Sequence, residues 1–219
     1  MAIIEVKKLT AGYVPGQPVI QDLSFALLPG QTLGICGSSG CGKSTVISAL
    51  LGLLHKQGGY TEGEVLYNGE NLLKLNEKQW RTLRWHKFAL VPQSAMNAFN
   101  PVFTIGRTFV ETSHAHKVET SRDRMELLLD SVGLAPDVLQ KYPHQLSGGM
   151  RQRASIALAL LLDPEVLLLD EATSGLDVIT EADILKLLRG IQQERGVSII
   201  FVSHDRRIIN EVCHRRIVL

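Results

Sequence analysis

The stretch Gly37-Ser38-Ser39-Gly40-Cys41-Gly42-Lys43-Ser44 carries glycines, a lysine and a hydroxyl in the spacing G-x-x-x-x-G-K-[ST], the spacing of loops that wrap nucleotide phosphates. Such a loop must turn sharply from strand to helix while aiming backbone N–H groups at phosphate oxygens. Gly37, Gly40 and Gly42 suit it because a residue without Cβ tolerates unusual φ and lets the backbone come close. Lys43 would reach the β- and γ-phosphates of a nucleotide, and the Ser44 hydroxyl would ligate Mg²⁺. Thr45 opens the helix that must follow, whose N-terminus adds unpaired N–H groups and partial positive charge. Ser38, Gly40 and Cys41 complete the cradle. The loop alone does not separate a kinase from a GTPase, a motor or a transporter subunit.

A second set of reactive groups lies far downstream. Glu165-Val166-Leu167-Leu168-Leu169 is an apolar run ending in two carboxylates, Asp170 and Glu171. Beside a phosphate loop, Asp170 would complete the Mg²⁺ shell and Glu171 would polarise an attacking water. Val197 to Val202 is another apolar run, and it delivers Ser203-His204-Asp205. A histidine there stands in the same position class as Asp170 and can contact a γ-phosphate. Leu146-Ser147-Gly148-Gly149 places a Ser N-cap before two glycines, which makes either a second anion site or a plain capped helix. Tyr13 either stacks on a purine or caps a sheet edge, and taken alone the second is the simpler role. His114-Ala115-His116 has metal-ligand residues but reads as a solvated loop.

Elements to position these groups can be read from periodicity. Ile4 to Lys7 and Ile20 to Leu27 alternate as half-buried antiparallel strands do. Thr32 to Cys36 is the buried strand feeding the loop, and Pro29-Gly30 turns the chain into it. Glu64 to Tyr67 leads to the tight-turn pair Asn68-Gly69. Asn76 and Gln79 form a capping box that opens a helix through Trp80 and Leu83. Phe88 to Val91 is a short strand closed by Pro92 and followed by Gln93. Ser94 to Ile105 reads as loop, Ser121 to Val132 as a helix stopped by Gly133, and Ala154 to Leu162 as an apolar helix. Thr180 to Glu194 is amphipathic, with Ile184, Leu187, Leu188 and Ile191 inward and Gly196 as the stop. A helix from Arg206 to Cys213 and a strand from Arg216 to Leu219 close the chain.

Composition narrows the function classes. At 219 residues with 45% hydrophobic content, the chain can bury a full core as one large domain or two small ones. Its net charge of +1 gives no sign of a polyanion as the main partner, so no nucleic acid is expected. Met1-Ala2-Ile3-Ile4 runs straight into Glu5 without the pattern of a signal peptide. The apolar run Ile156 to Leu162 is too short to span a bilayer. The expectation is a cytosolic chain that docks on a membrane protein. Cys36, Cys41 and Cys213 have no disulfide or metal spacing and read as reduced thiols.

In order along the chain, Tyr13, the phosphate loop, Gln93, Leu146-Ser147-Gly148-Gly149-Met150, Leu169-Asp170-Glu171, Ser174-Gly175-Leu176-Asp177 and His204 resemble the nucleotide-binding domain of ABC transporters. The resemblance covers essentially the whole chain. It implies an α/β fold of the phosphate-loop ABC ATPase type: a parallel core sheet with helices, an antiparallel β subdomain and an inserted α-helical subdomain. Residues about 1–93 and 163–219 would form the core with the β subdomain, and about 94–162 the helical subdomain. It also implies that Tyr13 stacks on adenine, that Gln93 senses Mg²⁺ and the transmembrane partner, and that Glu171 is the general base. His204 would hold the γ-phosphate and water, Ser147, Gly148 and Gly149 would close over the ATP of a second ATPase domain, and Asp177 would speak across that interface. Asn71 to Leu75, Ala98 to Gly106 and Gly148 to Arg153 are similar to the ATPases of peptide and nickel importers, although Ala172 and Gly175 replace the usual Pro and Ala. The partners implied are permease subunits, a like or sister ATPase and, indirectly, an extracytoplasmic substrate-binding protein, with the chain peripheral on the cytoplasmic face of the inner membrane. Members of this group continue past the point matching Leu219, many of them into a segment with iron–sulfur cysteines, which this sequence does not contain. The alternative, a soluble ABC ATPase acting on ribosomes or DNA, would call for tandem ATPase domains or long coiled-coil insertions.

Overall fold

The computed structural model describes residues 1–219, apart from the side chains of Met96 and Asn97. Nine strands divide between two sheets: β1 (Ile4–Gly12), β2 (Ile20–Leu27), β3 (Thr32–Cys36), β4 (Tyr60–Tyr67), β5 (Glu70–Asn71), β6 (Phe88–Val91), β7 (Val166–Asp170), β8 (Ser198–Ser203) and β9 (Arg215–Val218). The first sheet is antiparallel, in the order β2-β1-β4-β5; the second has the order β6-β7-β8-β3-β9 and every pair in it is parallel. The helices are α1 (Lys43–Leu50), α2 (Glu77–Leu83), α3 (Ile105–Ala115), α4 (Arg122–Ser131), α5 (Gly148–Ala159), α6 (Val178–Arg195) and α7 (Arg206–Val212). Among the described residues no helix is long and apolar enough to cross a membrane.

The continuous apolar runs of β7 and β8 are explained by burial on both faces of the parallel sheet. Val166, Leu168, Ile200 and Val202 enter a core shared with α1 and the antiparallel sheet. Leu167, Leu169, Ile199 and Phe201 enter a second core with α4, α5 and α6. Within that second core Phe99, Ile105, Phe109, Leu128 and Leu129 knit the helical layer to the sheet.

Local signals account for most boundaries. Asn76 and Gln79 form the capping box of α2, Ser121 caps α4, and Gly196 ends α6 in the left-handed region at φ +66°. β1 is longer than its alternation suggests because register shifts between Val6 and Leu9 break the period. One expectation is overturned. Residues 105–115 form a helix, so His114 lies in its last turn rather than in a solvated loop, with His116 at its C-cap. The inward face of α3 mixes Ile105 and Phe109 with Thr108 and Ser113, which hides the apolar period.

Candidate active site

Four neighbouring strands of the parallel sheet deliver the reactive groups at their C-terminal ends. β6 leads to Gln93, β7 to Asp170 and Glu171, β8 to His204, and β3 to the phosphate loop. Such an edge is where open α/β sheets hold their ligands. The loop's glycines differ in function. Gly40 and Gly42 sit at φ +80° and +101°, where an L side chain is strained. Gly37 is needed for space instead: a Cβ there would stand 2.4 Å from Cys41 Sγ.

Lys43 folds back into its own loop. Its Nζ donates to Gly37 O at 3.0 Å and Ser38 O at 2.8 Å, and its side chain is 6% exposed. A 3.5 Å ion pair joins the same Nζ to Glu171 Oε1. The other oxygen, Oε2, receives Gln93 Nε2 at 3.2 Å and faces His204 Nδ1 at 3.2 Å. Three elements therefore converge on one carboxylate. Glu171 itself takes a left-handed backbone, φ +47°, and its N–H donates to Val202 O at 2.9 Å. A non-glycine residue held there at the end of a strand stores backbone strain, which the surrounding bonds must maintain.

Asp170 stands beside this cluster, accepting from the Ser44 hydroxyl at 3.2 Å. Burial holds its pKa above the ordinary carboxylate value, with the Glu171 charge acting in the same sense and Ser44 and Lys43 opposing. A half-buried carboxylate and a hydroxyl oxygen side by side, next to a phosphate cradle, suit a hard divalent cation. The Gln93 amide nitrogen is engaged by Glu171, so Oε1 is the oxygen it would offer to a cation. Among the described residues no three His, Cys, Asp or Glu side chains gather as a metal site.

A cavity of about 820 Å³ opens over the loop, lined by Tyr13, Val19, Ser38, Ser39, Gly40, Gly42, Lys43, Ser44, Thr45, Gln93, Glu171, Ser174 and His204. Tyr13 is 42% exposed, and its hydroxyl lies 3.4 Å from Thr45 Oγ1. Val19 is an addition to the residues expected from sequence, and Ser174, named there only as part of a motif, joins the lining. Val19 packs against Gly42, and nothing in the local sequence before β2 marks it. Ser174 lies in the turn after Glu171 and donates its N–H to Glu171 O at 2.9 Å.

Ser147, Gly148, Gly149 and Asp177 do not line this cavity. They gather with one another at the adjoining N-termini of α5 and α6. Ser147 Oγ accepts from Met150 N–H at 3.2 Å, and Asp177 caps α6 through the N–H groups of Ile179 and Thr180. Gly149 lies against Thr180, where a Cβ would come within 2.5 Å of the Thr180 methyl. The thiols are all unpaired; Cys36 is buried, and burial pushes Cys213 up to about 12.

A five-stranded parallel sheet with a phosphate loop after β3 and an acidic pair at the end of β7 defines a phosphate-loop nucleoside triphosphatase. The model of the ABC transporter family matches residues 20–174. The chain belongs to that family and is an ABC-type ATPase. It is 41% identical to a dipeptide transport ATP-binding protein of Caldanaerobacter subterraneus, over 99% of this chain and 69% of that one. It is 36% identical to a metal-staphylopine import system ATP-binding protein of Staphylococcus aureus, over 100% of this chain and 83% of that one. Among solved structures it is similar to a dimeric ATP-binding cassette in a post-hydrolysis state bound to ADP and phosphate. That match has a TM-score of 0.84 and 26% identity, and covers 99% of this chain and 94% of the other.

Proposed function

We propose that this chain is the ATP-hydrolysing subunit of an importer of peptides or metal complexes, acting at the cytoplasmic face of the membrane on permease subunits. The observation that carries the reading is the Glu171 carboxylate, gathered by Lys43, Gln93 and His204 at the mouth of the phosphate loop. The cargo class rests on the named relatives, one for dipeptide transport and one for metal-staphylopine import.

In this reading ATP enters the 820 Å³ cavity with its adenine on Tyr13 and its phosphates on the N–H groups of Gly40 to Thr45. Lys43 exchanges the carbonyls of Gly37 and Ser38 for the β- and γ-phosphates. Ser44, Asp170 and Gln93 would hold Mg²⁺, which when bound neutralises charge on the phosphate oxygens. Glu171 orients a water for in-line attack and takes its proton, worth roughly 10²–10⁴-fold as a general base. His204 steadies the γ-phosphate.

Ser147, Gly148 and Gly149 then serve the ATP of a second ATPase domain, with Asp177 at the same interface. ATP held between two such surfaces favours the closed pair over the open one. Hydrolysis leaves two anions in the interface and opens it. Residues about 94–162 would move as a helical subdomain. A groove of about 340 Å³ between the core and that layer, lined in part by Leu53, Leu90, Pro92 and Ala98, is the surface we assign to the permease. Pro92 directly precedes Gln93, so a docked partner and the nucleotide would share that loop. The test is Glu171→Gln, which should bind ATP, accumulate a dimer and lose hydrolysis; normal turnover by this variant would remove Glu171 from the role of base.

A further inference from the structure

α1 starts at the phosphate loop, and its other end is held by an unusual clamp. The helix closes in a Schellman turn, with Leu53 N–H donating to Ser48 O at 2.8 Å, Gly52 N–H to Ala49 O at 3.1 Å, and Gly52 at φ +62°. The next carbonyls, Leu51 O and Gly52 O, are both taken by one guanidinium. Arg84 Nε donates to the first at 2.9 Å and Nη2 to the second at 3.1 Å. Its third nitrogen, Nη1, donates to Glu77 Oε1 at 2.9 Å, and its central carbon lies 5.2 Å from the centre of the Trp80 ring. Trp80 in turn presses on Gly52, where a Cβ would stand 2.2 Å from the ring. The Arg84 side chain is only 15% exposed. It also forms one wall of the groove that contains Leu53, Leu90 and Pro92.

We infer that Arg84 is a positioning residue for ATP: by fixing the C-terminal end of α1 it sets where Lys43 and Ser44 stand at the other end. This deepens the nucleotide reading of the phosphate loop and rests on it. α1 has eight residues, about 12 Å of helix, so a displacement at one end is carried to the other as a rigid shift. A cation at a helix C-terminus also complements the dipole whose positive end faces the phosphates. Lysine cannot replace the fork, because a point charge does not hold two carbonyls and a carboxylate in one plane. Arg84 reaches none of the residues around the phosphate site directly, so its effect is on binding geometry and not on the chemical step.

The experiment compares the wild-type chain with Arg84→Gln and Arg84→Lys by equilibrium ATP binding, steady-state ATPase kinetics and thermal melting. Arg84→Gln should raise the ATP Kd and KM by roughly threefold to tenfold with kcat nearly unchanged, and Arg84→Lys should recover part of the loss. A folded Arg84→Gln that binds ATP as the wild type does, or that loses kcat at constant KM, overturns the inference. If Arg84→Gln does not fold, Glu77→Gln decides, since it keeps the guanidinium but loosens its seat. A raised KM there supports the clamp, and an unchanged one overturns it. Failure of the wild-type chain itself to bind ATP would instead overturn the nucleotide reading.

Discussion

Glu171 and Asp170 are adjacent residues with opposite electrostatic situations. The Glu171 carboxylate is met by Lys43, Gln93 and His204, whereas Asp170 has only the Ser44 hydroxyl and the more distant Lys43 charge against its burial. A carboxyl whose folded pKa is raised binds its proton more readily in the folded state than in the unfolded one. Its contribution to stability is therefore lost as pH rises through the carboxylate range, and at neutral pH the ionised Asp170 weakens the nucleotide-free fold. Asp170→Asn keeps a partner for Ser44 while removing that charge. It should melt at a higher temperature than the wild type without nucleotide or Mg²⁺. The same variant should hydrolyse ATP at least about a hundredfold more slowly, because the loop has lost a charged cation ligand. Calorimetry and an ATPase assay on one preparation check both. An unchanged or lowered melting temperature would mean that Asp170 is not the electrostatic burden its surroundings indicate.

At the scale of elements, the approach of α5 to α6 depends on Gly149. A Cβ at this position meets the Thr180 methyl at 2.5 Å but lies 3.8 Å from Thr180 Cβ and Oγ1. Gly149→Ala should therefore destabilise the chain by about 1–3 kcal/mol as an overpacking change. Adding Thr180→Ser deletes only the offending methyl and keeps the hydroxyl that donates to Asp177 at 2.7 Å. Chemical denaturation of the pair should recover most of the loss, and a double variant no more stable than the single one would refute the contact. The end of α3 offers a pH test. His116 rings lie 5.6 Å from His86 and 5.8 Å from Trp85, and burial, then the His86 charge, holds its pKa below 6.5. The unfolded chain takes up that proton more readily, so stability should fall as pH drops below about 6.5. His116→Gln should flatten this part of the melting-temperature profile, and parallel profiles would exclude His116 as the source. α3 was also the helix the sequence concealed, since Thr104 caps it but Gly106 follows at once. That glycine is required because a Cβ would stand 2.9 Å from Leu139 O. The split of β2 and β3 into different sheets was equally illegible: Pro29-Gly30 marks a turn, not the sheet each strand joins. The phosphate loop, the Asp170–Glu171 pair and His204 were legible because each is a short run of residues whose chemistry is local.

For the whole molecule, what matters is that the two sets of expected nucleotide contacts do not meet within one chain. One set lines the cavity at the C-terminal edge of the parallel sheet, and the other sits at the N-termini of α5 and α6. Ser147 is absent from the lining of that cavity, and its hydroxyl is engaged in capping the helix it begins. If the second set acts on the ATP of a neighbouring copy, two defects in different chains must complement each other. Lys43→Ala should abolish hydrolysis by spoiling the phosphate loop while leaving Ser147–Gly149 intact. Ser147→Arg should abolish it by blocking the Ser147–Gly149 surface while leaving the phosphate loop intact. In an equal mixture half of the pairs are mixed, and each mixed pair holds one site with both parts sound. Activity should therefore return to about a quarter of the wild-type value if sites work independently and the association is a symmetric pair. The recovery should grow with protein concentration, as association requires. A mixture no more active than its components would mean that two copies of this chain do not build a site together. The complementing surface would then have to come from a different ATPase, and the same two variants, each mixed with that protein, would identify which side of the interface this chain supplies.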